Sequence, residues 1–529
     1  TFGNGTQFAS DALSITPTTQ PGAASVFIGG GATLDASGAV ASKSVADLFI
    51  EVELRGDEFA NNPVQRNGKL RGQKANVDIR DKVAIADLSG YINKLGQTLE
   101  ERAAAGGDIS VRSGGSVIVK QDAMLDVSGG RVDYAAATVQ ETRAYTRGGQ
   151  TYRLNDAPAD LTFSGLITKT RAEAAYTEGK SAGSVELNAH SIALGGELRG
   201  ATTRGERQRN MGNPATDRSA IPLDAKLIVR DAGQHFQPAG ASEAEKAAAY
   251  NAAQIRFING RSTVADGLNA GDAAGPVLEL SASLLDAGFS RFDIQSDGRI
   301  DVPGGVNLSL APGGEFKASA RQVVVGGDIF APSGAIALTT RDMSAAGLFP
   351  QEAQYAQYST LILETGASLS AAGQWINDFT ANSNGPLPPK AVNGGSVTLT
   401  SAYDLDMRAG SNVDVSGGAY VKGDGKVENG NAGSVKLSAT ASGFGIDNLA
   451  QRDARLFLDG ALSGYALGKG GKLEVDSSQI ALFDPSKLPP GRVFFPDPRT
   501  MSRDDRLRTG LVGAAFTNDF LNQGGFYEF

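Results

Sequence analysis

GGSVTLTSAYDLDMRAGSNVDVSGG, residues 394 to 418, sets apolar side chains in pairs with one residue between them: Val397 and Leu399, Leu405 and Met407, Val413 and Val415. Each pair follows the last by eight residues. Alternate residues of a strand share a face, so each pair points one way while its neighbours point the other. GGDISVRSGGSVIVKQDAMLDVSGG, 106 to 130, repeats the pattern with Ile109 and Val111, Val117 and Val119, Leu125 and Val127. RFDIQSDGRIDVPGGVNLSLAPGGEFKAS, 291 to 319, does so with Phe292 and Ile294, Ile300 and Val302, Leu308 and Leu310, Phe316 and Ala318.

A period of eight excludes a helix, whose apolar residues recur at three and four. It fits a strand of about five residues and a turn of about three, with glycine supplying positive φ at the corner. A longer spacing decides between hairpins and a coil. GGSVTL opens at 394, AGSVKL at 432 and GGKLEV at 470, two steps of 38, and AGSVEL at 182 and GGDISV at 106 mark further returns to one face. The expected fold is therefore all-β, a right-handed parallel β-helix, a solenoid with three strand-and-turn sides and about 20 to 25 residues per coil. About 300 residues in coils would extend roughly 60 Å at ~4.8 Å per coil. One coil cannot bury its own apolar face, so stability belongs to the stack.

The same frame explains a recurring phrase, LDVSGG in AMLDVSGG (123–130), SNVDVSGG (411–418) and, loosely, ATLDASGA (32–39). The residues flanking the Asp face the core, the Asp faces water, and Ser-Gly-Gly turns the corner.

Composition agrees with frequent turning: 529 residues hold 68 Gly and 20 Pro, with 7% aromatics. A formal charge of -9 and a pI near 5.1 disfavour nucleic acid and anionic membrane surfaces. No apolar run is long enough to span a bilayer, so direct membrane insertion is not expected, and the first residues lack a signal-peptide pattern. Cysteine is absent, which excludes disulfides and thiolate metal sites.

Within one continuous rod, 1–529, five excursions break the period: 56–105 (loop plus helix), 131–182 (a hairpin-like extension), 201–274 (loop plus Ala-rich helix), 374–393 (a Trp/Pro loop) and 484–523 (a Pro/charged loop). In the first, Leu88, Ile92, Leu95 and Leu99 are spaced as one helix, closed by Gly106. In the third, Ser242 and Glu245 have capping-box spacing. Excursions on a rigid scaffold are where binding resides, so Tyr134, Tyr145, Tyr152, Tyr355, Tyr358 and Trp375 are the candidate ligand-binding residues, as stacking platforms for glycan or a receptor. The terminal FLNQGGFYEF is similar to the internal LLDAGFSRFDI that precedes a run of coils, and the chain does not begin with Met, so a segment of a longer polypeptide is expected.

LDVSGG, GGSVxL and the block VELRGDEFANNPVQRNGKLRGQKANVDIRD (52–81) resemble the filamentous haemagglutinin family, large exoproteins of Gram-negative bacteria exported by two-partner secretion. The resemblance implies an internal shaft segment of a secreted, cell-surface β-helical adhesin that works in adhesion, aggregation or biofilm formation. It implies an outer-membrane transporter as partner of the parent protein. The Asn-Pro-Asn motifs of the family's secretion domain have no match; Asn61-Asn62-Pro63 stands in another context.

The alternative is a polysaccharide-degrading β-helix enzyme, a lyase or hydrolase, which needs carboxylates converging on neighbouring coils. Asp404, Asp406 and Asp414 are the nearest set, expected to be solvated on separate sides; Asp35, Asp126 and Asp414 share a phase but are expected too far apart to converge. His190 and His235, the only histidines, are expected in turns or at the surface and support no triad. GDGKVENGNAG (423–433) lacks the order of a calcium loop. Neither catalytic residue, metal nor cofactor is expected.

Overall fold

A computed structural model describes residues 24–529 apart from 81–82, 93–94, 96–97, 232–241, 243, 246–252, 342–358, 380–386, 440–453, 478–479, 484–486, 488–513 and 518–522. The fold is all-β, built on long parallel sheets. The largest has ten strands in the order Asp108–Arg112, Ser184–Ala189, Ala225–Asp231, Phe289–Ser296, Glu315–Ala320, Ala335–Thr340, Ser396–Ser401, Ser434–Ala439, Gly471–Ser477 and Phe526–Glu528. All five GGSVxL-type openers therefore return to one sheet, and Val397 pairs with Val435 and Val435 with Leu473.

A nine-stranded and a five-stranded parallel sheet complete the framework. From Phe289 the chain visits them in rotation: Phe289–Ser296, Arg299–Val302 and Asn307–Ser309 enter the ten-, nine- and five-stranded sheets, and Glu315–Ala320, Gln322–Val325 and Asp328–Phe330 repeat the cycle. Arg291 pairs with Glu315 and Glu315 with Ala335, circuits of 24 and 20 residues.

The alternation predicted from the eight-residue period is the burial pattern. Val397, Leu399, Leu405, Met407, Val413 and Val415 are fully buried, and their equivalents extend one apolar core from Ile28 to Phe516. Phe257, Phe292 and Phe316 form an aromatic cluster within it, with centroids 5.5 to 6.3 Å apart. Ten strands at ~4.8 Å span about 43 Å, less than expected, because some circuits take long detours. Asp108 and Ser184, adjacent in the sheet, are 76 residues apart.

Some corner glycines serve the purpose expected and others a different one. Gly305, Gly366 and Gly410 do have positive φ, but Gly395 and Gly433 do not. A Cβ on Gly433 would overlap the Gly395 carbonyl oxygen, and one on Gly395 that of Gly334. Successive layers touch backbone to backbone at this corner. In the LDVSGG phrases, Asp35, Asp126 and Asp414 each accept the amide hydrogen of the residue two places on, Ser37, Ser128 and Ser416, at 2.8 to 2.9 Å. The Asp-x-Ser pair is an Asx turn.

Excursions 56–105 and 131–182 fold together. Phe49–Glu53 and Lys74–Asp78 form an antiparallel pair, and Ala137–Thr146 runs antiparallel to Phe163–Glu173. Between them lies a second apolar core in which Val52, Leu54, Phe59 and Leu88 meet Ala144, Leu154 and Phe163. Asn76 donates its amide to Thr142 Oγ1 at 2.8 Å and Leu166 to Gln73 Oε1 at 3.2 Å.

The single helix expected over Leu88 to Leu99 is instead two short ones, Ser89–Ile92 and Leu99–Ala103. Leu88 enters the second core while Leu99 is 74% exposed, so no common apolar face exists. Thr98 starts the second helix with a capping box to Glu101. Range 201–274 is not wholly an excursion, because Ala225–Asp231 and Ala253–Ile258 are strands of the two largest sheets. Ser242 and Glu245 do form the reciprocal capping bonds; the Ala-rich stretch after them, most of 484–523 and His235 lie outside the described residues.

Candidate functional site

Two surfaces combine exposure with unusual chemistry. The first is a cleft of about 670 Å³ between the hairpin, strand Tyr176–Gly179 and the loop around Arg207 to Ser219. Antiparallel pairing brings alternate charged residues of the hairpin to one side. Glu141 accepts from Arg143 Nε and Arg153 Nε, both at 3.1 Å, and meets Arg171 Nε at 3.4 Å. Glu173 binds Arg171, Arg80 at 3.2 Å and Arg207 at 3.0 Å. Burial by itself would raise the Glu173 carboxyl, but Arg207, Arg171 and Arg80 outweigh it and hold it at about 2. Arg207 lies 4.3 Å from the Tyr176 ring centroid, an Arg-aromatic contact.

Of the candidate tyrosines of this region, Tyr134 is buried, and Tyr145 and Tyr152 are half-buried. Tyr134 is 2% exposed and stacked on Tyr176, centroids 4.7 Å apart, so neither ring offers that face to a ligand. Tyr145 lies over Gly165, where the missing side chain makes room for its ring. Tyr152 packs edge-on against Phe163 and covers the second core, its hydroxyl 3.1 Å from Gln150 Oε1. Tyr134 and Tyr152 pack into apolar clusters that join the two excursions. Tyr355 and Tyr358 lie outside the described residues.

Trp375 differs. It begins the strand Trp375–Asn377, which pairs with Ala419–Val421, itself paired with Val427–Asn429. Strand alternation puts Ile376 and Tyr420 inward and leaves Trp375, Asn377, Val427 and Asn429 on the outer face, with Trp375 71% and neighbouring Phe379 63% exposed. The strand residues on this face, Trp375, Asn377, Val427 and Asn429, carry no charge. Below it, Arg209 grips Asp378 through two bonds of 2.7 and 3.0 Å and donates to the Pro388 carbonyl at 2.9 Å, while the Tyr420 hydroxyl donates to Asp378 at 2.7 Å. These bonds, chiefly from Arg209, hold Asp378 below the ordinary carboxylate range. Arg209 and Asp378 are 169 residues apart, and nothing in the sequence marks their pairing.

The expected carboxylate sets also change. Asp404 and Asp406 are buried, not solvated: Asp404 accepts the Arg455 amide at 2.9 Å, and Asp406 meets Arg408 at 3.3 Å. Asp35 and Asp126, expected far apart, are direct cross-strand neighbours, each committed to its own turn. His190 is half-buried at a bend, and burial holds it below its ordinary value. Asp424 and Glu428, in the stretch with calcium-like spacing, face Lys426 and Lys422.

No family model, curated protein or solved structure matches the chain.

Proposed function

We propose that the protein is a shaft segment of a large surface adhesin and that its three rotating sheets are a right-handed parallel β-helix. The rotation of strands through the sheets, in circuits of 20 and 24 residues, supports the coil, and the near-universal right hand of parallel crossovers supports its sense. The single observation that carries the mechanical role is the unbroken apolar core from Ile28 to Phe516. Each layer is held by backbone ladders to the layers on either side, so load along the axis is shared by three sheets.

The resemblance of LDVSGG, GGSVxL and 52–81 to filamentous haemagglutinins supports a position for this shaft outside the cell or on a bacterial surface. Export of the parent by an outer-membrane two-partner transporter, and a role in adhesion, aggregation or biofilm formation, belong to the same proposal. Trp375 is the contact residue: an exposed indole on one strand face with the uncharged Asn377 and Asn429 suits the apolar faces and hydroxyls of a neutral glycan.

Small-angle scattering should give an elongated particle, and Trp375→Ala should lower binding to neutral glycans on an array by tenfold or more without changing the scattering curve. A compact particle rejects the shaft; unchanged glycan binding rejects the contact face.

A further inference from the structure

The arginine-lined cleft has a balance of charge that narrows what it can hold. Six arginines and five carboxylates line it, a net of one positive charge. Glu141 and Glu173 are each surrounded by three arginines, yet the guanidinium groups are far from spent. Arg143 and Arg207 each give one nitrogen to a carboxylate, out of five N–H donors apiece. Arg80 Nη1 and the Tyr176 hydroxyl are buried polar atoms beside one another in the cleft wall. On the acceptor side, Glu178 Oε1 accepts from Lys180 Nζ at 2.6 Å, while Arg218 stands 3.8 Å from Oε2, too far for a good hydrogen bond.

Unsatisfied donors beside under-used acceptors ask for a ligand that offers both an anion and hydroxyl groups. A polyanion would meet five carboxylates and be repelled. A neutral sugar would leave the forked guanidinium donors without their natural partner. The volume, about 670 Å³, lies within the range of small-ligand sites. We propose that this cleft binds a saccharide carrying one carboxylate per ring, of the uronic acid class. The carboxylate sits on Arg143 and Arg207, and a ring hydroxyl donates to Glu178 Oε2. The site is separate from the Trp375 face and does not depend on it.

Titration calorimetry with digalacturonate tests the proposal, with galactose and dextran sulfate as comparison ligands. Saturable binding of digalacturonate is expected, weakened at least tenfold in the double variant Arg143→Gln/Arg207→Gln and several-fold in Arg143→Gln alone. Arg55→Gln, at an exposed arginine outside the cleft, should bind as the parent does, and so should Trp375→Ala. Absence of digalacturonate binding overturns the proposal, as does equal binding of galactose. Tighter binding of dextran sulfate, unaffected by the double variant, overturns it too. Circular dichroism that matches the parent assigns the loss to the cleft; if the double variant misfolds, Arg143→Gln alone decides.

Discussion

Asp126 and Ser128 recur as a pair because a parallel layer must turn a corner without losing a backbone donor. The carboxylate takes the serine amide, and the glycines that follow let the next layer approach. At Gly433 that approach is so close that any side chain displaces the Gly395 carbonyl. Gly433→Ala should cost about 3 kcal/mol, an overpacking penalty at a site that cannot relax. Gly90→Ala, in a short helix where an added Cβ meets nothing within 4 Å, should be neutral or slightly stabilising. Urea midpoints of the two variants check this, and equal midpoints contradict it.

Among the elements, the strands of the main sheets were readable because period two and full burial coincide. The helix spacing at Leu88 to Leu99 misled because four apolar residues in a row of threes and fours say nothing of which core receives them. The capping-box signature at Thr98 and Glu101 was a visible sign of a new start. The hairpin carries its own acid sensitivity. Glu173 is depressed from its ordinary 4.5 to about 2, so its contribution is complete above pH 4.5 and is lost as pH falls towards 2. Pepsin near pH 2 should therefore cut within 137–173 before it cuts the strands between 396 and 477. Glu173→Gln should loosen the hairpin at neutral pH by about 3 kcal/mol, since three arginines lose a buried partner. Simultaneous cleavage of both regions would contradict the separate-core account.

For the whole molecule, the charge of -9 keeps copies apart at neutral pH, and it vanishes near the pI of 5.1. The Trp375 face is then free to bring copies together. Light scattering across pH 4 to 8 should show a solubility minimum near pH 5 that Trp375→Ala makes shallower. A monodisperse solution at pH 5 would contradict it.

The sequence by itself determined the strands, their inward residues and their return to one sheet, because an eight-residue alternation and a 38-residue recurrence are local facts that backbone geometry translates directly. It did not determine where the excursions dock. The joint core of 56–105 and 131–182, the Arg209–Asp378 grip and the Glu141 and Glu173 arginine clusters join residues far apart in the chain. Nothing periodic specifies such meetings. Only the stacked framework, by fixing where each excursion leaves and rejoins, decides which charges meet and which aromatic ring stays in water.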